Sequence, residues 1–113
     1  MAFPSAQTSG LVTSGNLRPV STTPQTAANG DVLLVTTGST ACTVNLPPVA
    51  NGGPVTVRKV DGGGTGTVTV KTTDSSTVDG IAGSTGRAVG AASTVSGATL
   101  VSDGVANWYT VNS

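Results

Sequence analysis

The C-terminal stretch Ala98–Ser113 contains the only tryptophan and the only tyrosine of the chain, Trp108 and Tyr109. One other aromatic residue, Phe3, lies near the opposite end. Aromatic side chains bury the most apolar area per residue, so a domain with so few of them must build its core around those it has. The position of the core is therefore expected to follow from the fold of this stretch.

Two runs of residues in the stretch, 98–102 and 107–111, can adopt an extended conformation, and Asp103-Gly104 begins a turn between them. Short strand-like runs on either side of an Asp-Gly step are typical of a β-hairpin. The pattern predicts such a hairpin, with three core anchors: Leu100, Trp108 and Tyr109.

The composition favours strands over helices. The chain has 113 residues, which is enough for one domain, and it is rich in Thr, Val and Gly. These residues favour strands and turns, whereas the usual helix formers are scarce. Five Lys or Arg residues balance five Asp, and there is no Glu. This neutral chain has no basic footprint, so neither a nucleic acid nor an anionic membrane is expected as a partner.

The chain has almost no cysteine or histidine that could take part in catalysis or metal binding. The chain has no His and a single Cys, Cys42, so neither an internal disulfide nor a Cys–His pair nor a conventional zinc site can form. Cys42 is predicted to be a small buried side chain in a strand over 41–46. No cofactor is expected. The N-terminus lacks the basic and apolar regions of a signal peptide, which predicts synthesis in the cytoplasm without an export signal.

Residues 1–28 differ in character from the rest of the chain. They contain Pro4, Pro19 and Pro24 and a single charge, Arg18. Proline biases the chain toward extended conformations, so this segment is predicted to be an extended N-terminal arm. A flexible tail is one interpretation. The other is that spaced apolar side chains contact a neighbouring subunit, and the candidates are Phe3, Leu11, Val12, Leu17 and Val20.

Strand signals recur at short intervals over 29–113 and are separated by Gly, Pro, Asn and Asp turns. They predict an all-β domain: a small antiparallel β-sandwich or jelly-roll-like fold of seven or eight short strands. The run 32–37 has enough apolar residues to be covered on both faces. Val68 and Val70 are expected on one face of their strand. The clear strands cover 32–37, 41–46, 54–60, 67–73, 77–81 and the two arms of the hairpin. The stretch 82–97 is the least decidable, with candidate strands around 88–89 and 94–95.

No motif in the chain points to catalysis. The three Asp-Gly steps are turn formers, and they lie about 20 residues apart, too far for the closely spaced ligands of a calcium loop. The glycine-rich run 62–66 lacks the Gly-Lys-Ser/Thr ending of a phosphate loop. We therefore expect no enzymatic activity. The basic pair Arg58-Lys59 is expected at a strand end that faces solvent or a subunit contact. Trp108 or Tyr109 could instead stack on a sugar.

Several segments, in order, resemble a β-rich structural module of tailed-bacteriophage virion proteins. They are Thr-Val-Asn-Leu-Pro-Pro (43–48), Gly-Gly-Pro-Val-Thr-Val-Arg-Lys-Val (52–60), Gly-Thr-Val-Thr-Val (66–70), Thr-Val-Asp-Gly (77–80) and the hairpin with Asn-Trp-Tyr (98–109). The resemblance covers residues 41–113. It implies a virion structural or attachment role, with homotrimeric assembly.

Three classes of function remain open under this resemblance. The first, which is favoured, is a capsid decoration (cement) protein on the capsid exterior, with the major capsid protein and its own copies as partners. The second is a tail-fibre tip or receptor-binding module for host glycans. The third is an unrelated glycan-binding module. Because the chain begins with its own Met1 and contains no shaft repeat, the first class is expected over the second.

Overall fold

The computed structural model describes residues 17–112, and for Asn112 the backbone alone. This part of the chain is all-β, with one short 3₁₀ turn at Val49–Asn51. The proposed contact residues Phe3, Leu11 and Val12 lie outside the described residues. The strands are β1 (Leu17–Val20), β2 (Gln25–Thr26), β3 (Val32–Val35), β4 (Cys42–Asn45), β5 (Val55–Lys59), β6 (Val68–Lys71), β7 (Thr77–Val78), β8 (Ile81–Ala82), β9 (Arg87–Gly90), β10 (Ser96–Ser102) and β11 (Asn107–Asn112).

These strands form two sheets, which we call the large and the small sheet. The large sheet has the order β1-β3-β5-β10-β11-β7-β8, and the small sheet has the order β2-β4-β6-β9. Both sheets are mixed. The first three strands of each are parallel, whereas β10 pairs antiparallel with β5 and β11, and β9 pairs antiparallel with β6. The expected purely antiparallel arrangement is therefore not what the chain adopts.

The parallel strands arise because the chain changes sheet at every step from β1 to β6. Parallel neighbours need a long crossover connection, and here each strand of one sheet lies within the crossover of the other. The result is three successive coils of two strands each. In-register side chains stack along the coils, as in the row formed by Leu33, Val57 and Ala98.

The two sheets share one hydrophobic core. Buried apolar side chains of both sheets belong to a single cluster, in which Trp108 and Leu100 are fully buried. Val68 and Val70 are also fully buried and share a face of β6, as expected. Cys42 is a buried side chain in β4, as predicted, and burial raises the pKa of its thiol. A neutral, buried thiol is chemically inert.

Residues 17–26, which the sequence analysis places in the arm, supply the edge strands β1 and β2. Arg18 joins the first three strands: its Nη2 donates to the Thr26 carbonyl at 2.9 Å and to Asp31 Oδ2 at 3.1 Å. Val20 is buried in the core of its own domain, whereas Leu17 is 48% exposed. Of these two proposed contact residues, only Leu17 is therefore open to a partner.

The predicted C-terminal hairpin is confirmed as β10 and β11. Its turn is organised by Asp103, whose Oδ1 accepts hydrogen bonds from the backbone N–H groups of Val105, Ala106 and Asn107. These donors favour the ionised carboxylate and hold the pKa of Asp103 well below its usual range. The Asp side chain thus fixes the turn, as the Asp-Gly pattern indicates.

Three local expectations differ from the structure. The candidate strand around 94–95 is part of a turn, and Val95 is exposed there. The expected strand over 77–81 is split into β7 and β8, because Asp79 and Gly80 both adopt positive φ, at 50° and 81°. Lys59 does not face solvent: its side chain is fully buried.

Candidate functional site: the outer face of the large sheet

Apolar side chains cover the outward side of the large sheet. Successive residues of a strand point to opposite faces, so the neighbours of the core residues point away from the core. We call the outward side of the five strands β1, β3, β5, β10 and β11 the outer face. It carries Leu17, Pro19, Val32, Leu34, Thr56, Arg58, Thr99, Val101, Tyr109 and Val111.

The small sheet has the opposite character on its outward side. By the same alternation, Ala88 of β9 points outward beside Thr69, and the outward residues of β2, β4 and β6 are Thr26, Thr43, Asn45, Thr69 and Lys71. All five are polar or charged, which is the usual pattern for a sheet with one solvated side. The large sheet breaks this pattern, and the contrast marks its outer face as the unusual surface of the molecule.

The outer face is nearly free of charge. Among the outward residues of the five strands that the structure describes, Arg58 alone is charged. Thr56 and Thr99 satisfy one another across β5 and β10, with 3.0 Å between their hydroxyl oxygens. Polar groups that are already paired cost little to bury. This chemistry suits contact with another apolar protein surface.

The size of the outer face follows from strand geometry. Four strand spacings separate β1 from β11, and about four residues of each strand contribute, so the footprint is roughly 19 Å by 13 Å between atom centres. With atomic radii added, this corresponds to ~300–400 Å². Apolar patches of this extent on a monomer often mark interaction sites.

Tyr109 does not lie in the core as predicted. It points outward from β11 and is 44% exposed, in the same face as Val111, which is 59% exposed. Trp108 lies on the opposite side of the strand and is completely buried, so its ring cannot stack on a sugar. Of the two aromatic residues, only Tyr109 could take that role.

Most of the outer face is not predictable from the sequence. Val32 and Leu34 were recognisable, because the run 32–37 has apolar residues on both faces. Val101 and Val111 carried no separate signal, since an isolated outward valine is normal in a strand. The face becomes visible only when the order of strands in the large sheet brings these residues together.

The described charged residues that cluster elsewhere act within the fold. The buried Lys59 donates from Nζ to the Asp61 and Thr94 carbonyls, and Nζ lies 3.5 Å from Asp61 Oδ1. Asp61 also accepts the backbone N–H groups of Gly38 and Thr37, which lower its pKa to about 2. This cluster ties together the loops around Thr37, Asp61 and Thr94, so its charges act within the fold.

A second cluster connects β7, β9 and β11. Asp79 Oδ2 accepts from the Thr110 hydroxyl at 2.7 Å and lies 3.1 Å from Arg87 Nε. Asp79 Oδ1 accepts the Thr110 backbone N–H at 3.0 Å. The carboxylate thus receives donors from β11 of the large sheet and β9 of the small sheet, and it holds these two strands in position.

Within residues 17–112, no three or more His, Cys, Asp or Glu side chains lie together in a group that could hold a metal ion. None of the helical turns in this part of the chain is long and apolar enough to cross a membrane. Comparison of the chain with protein-family models, with curated proteins and with solved structures found no match.

Proposed function

We propose that this protein is a structural component of a tailed-bacteriophage virion, most specifically a capsid decoration protein that assembles as a homotrimer. The proposed role is binding and stabilisation of the head shell, with the major capsid protein as partner. The resemblance of residues 41–113 to virion modules supports the class. We further propose that the two sheets pack face to face as a β-sandwich.

The contrast between the two outward sheet faces carries the assembly part of this proposal. A polar small sheet and an apolar, nearly uncharged large sheet give the molecule one side suited to water and one suited to protein. Subunit interfaces are enriched in aromatic residues and arginine and depleted in lysine and acidic residues. The outward residues of the five strands include Tyr109 and Arg58 and, among those that the structure describes, no Lys, Asp or Glu. Tyr109 lies on the outer face as its aromatic anchor.

The experiment is light scattering after gel filtration of the wild type and of the double variant Tyr109→Asp/Val111→Asp. The wild type should elute with about three times the 10.9 kDa chain mass. The variant should be monomeric, because desolvating two carboxylates within an interface costs several kcal/mol each. The matched control is Thr43→Asp/Thr69→Asp, which adds the same charge to the polar face and should remain trimeric. A monomeric wild type at micromolar concentration refutes the homotrimer.

The virion part is tested separately by adding the protein to capsids that lack it. Co-sedimentation of the wild type with such capsids, together with antibody labelling of heads in electron micrographs of intact particles, is the expected result. Labelling of tails alone refutes the decoration role.

A tail-fibre tip or receptor-binding module is the second candidate, and one feature of the fold favours it. β1 and β2 are the first strands of a parallel coil, and each pairs on one side only within the described residues. Such an edge can be continued by further coils, as a fibre shaft would supply. Tyr109 would then be the residue available to stack on a host glycan.

A further inference from the structure

The small sheet ends before the large one. β9 is its last strand and pairs with β6, and no strand lies on the other side of β9 in the part of the chain that the structure describes. The large sheet continues past this point through β11, β7 and β8. A cavity of about 430 Å³ is lined by β9 together with residues of β10 and Thr110 of β11 in the large sheet. We call it the β9 slot, and its lining includes Ala88, Val89, Ala92, Ala98 and Thr110.

The slot is suited to an extended, uncharged peptide. Its lining is mostly small apolar residues, and Arg87, its one charged residue, is already paired with Asp79 at 3.1 Å. An unpaired strand edge offers backbone donors and acceptors to an added strand, and alternate side chains of that strand fill the space beside it. A charged segment would find no counter-ion here.

We propose that residues 10–14 of a second copy, Gly-Leu-Val-Thr-Ser, occupy the β9 slot as an added strand. This inference rests on the self-assembly proposed above and specifies its partner. Residues 1–16 contain no charged side chain, which matches the slot. Within them, 10–14 combines two adjacent apolar residues, Leu11 and Val12, with a β-branched threonine and no proline, so every residue can donate its backbone N–H.

Distance assigns the segment to a neighbouring copy. The slot is lined by Thr110 of β11. Four strand spacings separate β11 from β1, so this side of the slot lies ~19 Å from β1 across the large sheet. The two sheets are ~10 Å apart. The slot is therefore roughly 20 Å from Leu17, the start of β1. Five residue steps from Val12 to Leu17 span at most ~16 Å. The segment of one copy falls short of its own slot, so the occupant comes from another copy.

Such a contact is heterologous, because the segment of one copy meets a different surface on the next. Heterologous contacts close into rings when the rotation between neighbours allows it, and three copies form the smallest ring above a dimer. In the proposed trimer, each copy therefore donates its segment to the next copy in the same rotational sense around the axis.

Hydrogen exchange followed by mass spectrometry on the full chain tests the proposal. Peptides covering 87–92 should exchange at least ~10-fold more slowly in the wild type than in Leu11→Asp/Val12→Asp, since the variant adds two charges that the slot cannot pair. Val12→Pro, which removes one backbone donor without adding charge, should give the same loss of protection. The matched control, Ser5→Asp/Ser9→Asp, adds equal charge outside the strand and should exchange like the wild type. Unchanged protection of β10 in every variant verifies that the domain remains folded.

Dilution and light scattering of the same samples separate the outcomes. Protection that disappears when the wild type is diluted to monomer supports occupation by a second copy, whereas protection that persists in the monomer overturns it. An oligomeric wild type whose β9 exchange equals that of both segment variants overturns the slot assignment but leaves assembly through the outer face intact. A monomeric wild type without β9 protection overturns both.

Discussion

Replacement of Trp108 tests how the core is built and how the unpaired indole N–H of Trp108 affects stability. Trp108 is fully buried, and its indole Nε1 has no acceptor among the described residues. A buried donor without a partner costs ~1–3 kcal/mol. Trp108→Ala and Trp108→Phe should therefore differ widely: the first removes the whole ring, and the second retains an aromatic ring while removing the unpaired N–H.

The magnitudes follow from what each change removes. Trp108→Ala should lower the free energy of unfolding by ~3–5 kcal/mol, the range for a large core aromatic residue. Trp108→Phe loses two ring carbons, worth ~1.6 kcal/mol at ~0.8 kcal/mol each, and the unfilled space adds ~1 kcal/mol. Removal of the unpaired N–H raises the free energy of unfolding by ~1–3 kcal/mol. The net cost of Trp108→Phe should therefore be only ~0–2 kcal/mol.

Urea unfolding followed by circular dichroism measures these differences, with all variants at one protomer concentration because association changes apparent stability. Val105→Ala is the control, since Val105 is 79% exposed at the tip of the hairpin and should change stability by less than ~0.5 kcal/mol. If Trp108→Phe costs as much as Trp108→Ala, the indole N–H is not a liability and the reasoning fails. A Trp108→Ala variant as stable as the wild type would refute the buried position itself.

Two further predictions concern the backbone and pH. Gly53→Ala should lower the melting temperature much more than Gly52→Ala does. Both glycines have positive φ, so the backbone strain is similar. An added Cβ at Gly53 would lie 2.9 Å from the Leu100 carbonyl oxygen, whereas no described atom lies within 4 Å of an added Cβ at Gly52. Equal melting temperatures contradict this. The pKa of Asp61 falls to about 2 in the folded protein, so its stabilising effect is complete above its unfolded pKa of about 4 and is lost as the pH falls toward 2. Urea midpoints from pH 7 to about pH 2 should decline over this window, and Asp61→Asn should flatten the decline; an equal decline in both proteins argues against it.

The positions of most strands were predictable from the sequence, but their partners were not. Alternation of valine with threonine or asparagine identified β4 and β6, and the Asp-Gly step identified the hairpin, because both signals are local. The change of sheet at each step from β1 to β6 has no local sequence signal, because the residue pattern of a strand is the same in either sheet. Pro19 and Pro24 predict an extended arm over residues 17–26, not strands of the domain. Proline is nevertheless compatible with an edge strand such as β1.

Buried charge was the other point at which sequence reasoning failed. Lys59 follows Val55 and Val57 at the spacing of two that marks the inward face of β5, yet lysine is rarely buried without partners. Its partners come from Asp61 and from Thr94, 35 residues later, so the spacing alone could not reveal that they exist. The same holds for the outer face, which exists only once β10 and β11 are placed beside β5.

The outer face is too small to hold an assembly together by itself, and this makes the β9 slot significant. In a trimer whose three outer faces meet around the axis, ~300–400 Å² buried on each copy amounts to ~900–1,200 Å² in total, or ~300–400 Å² for each of the three interfaces, which is below the ~1,200 Å² at the lower end of stable interfaces. An added strand contributes backbone hydrogen bonds and further apolar burial at a different edge of the same subunit. Ordering a segment costs ~1–2 kcal/mol per residue, so strand addition alone would be equally marginal. Each contact lowers the cost of the other, because copies already joined through their outer faces hold the segment of one at high local concentration near the slot of the next. Under this coupling, loss of either surface should dissociate the whole assembly.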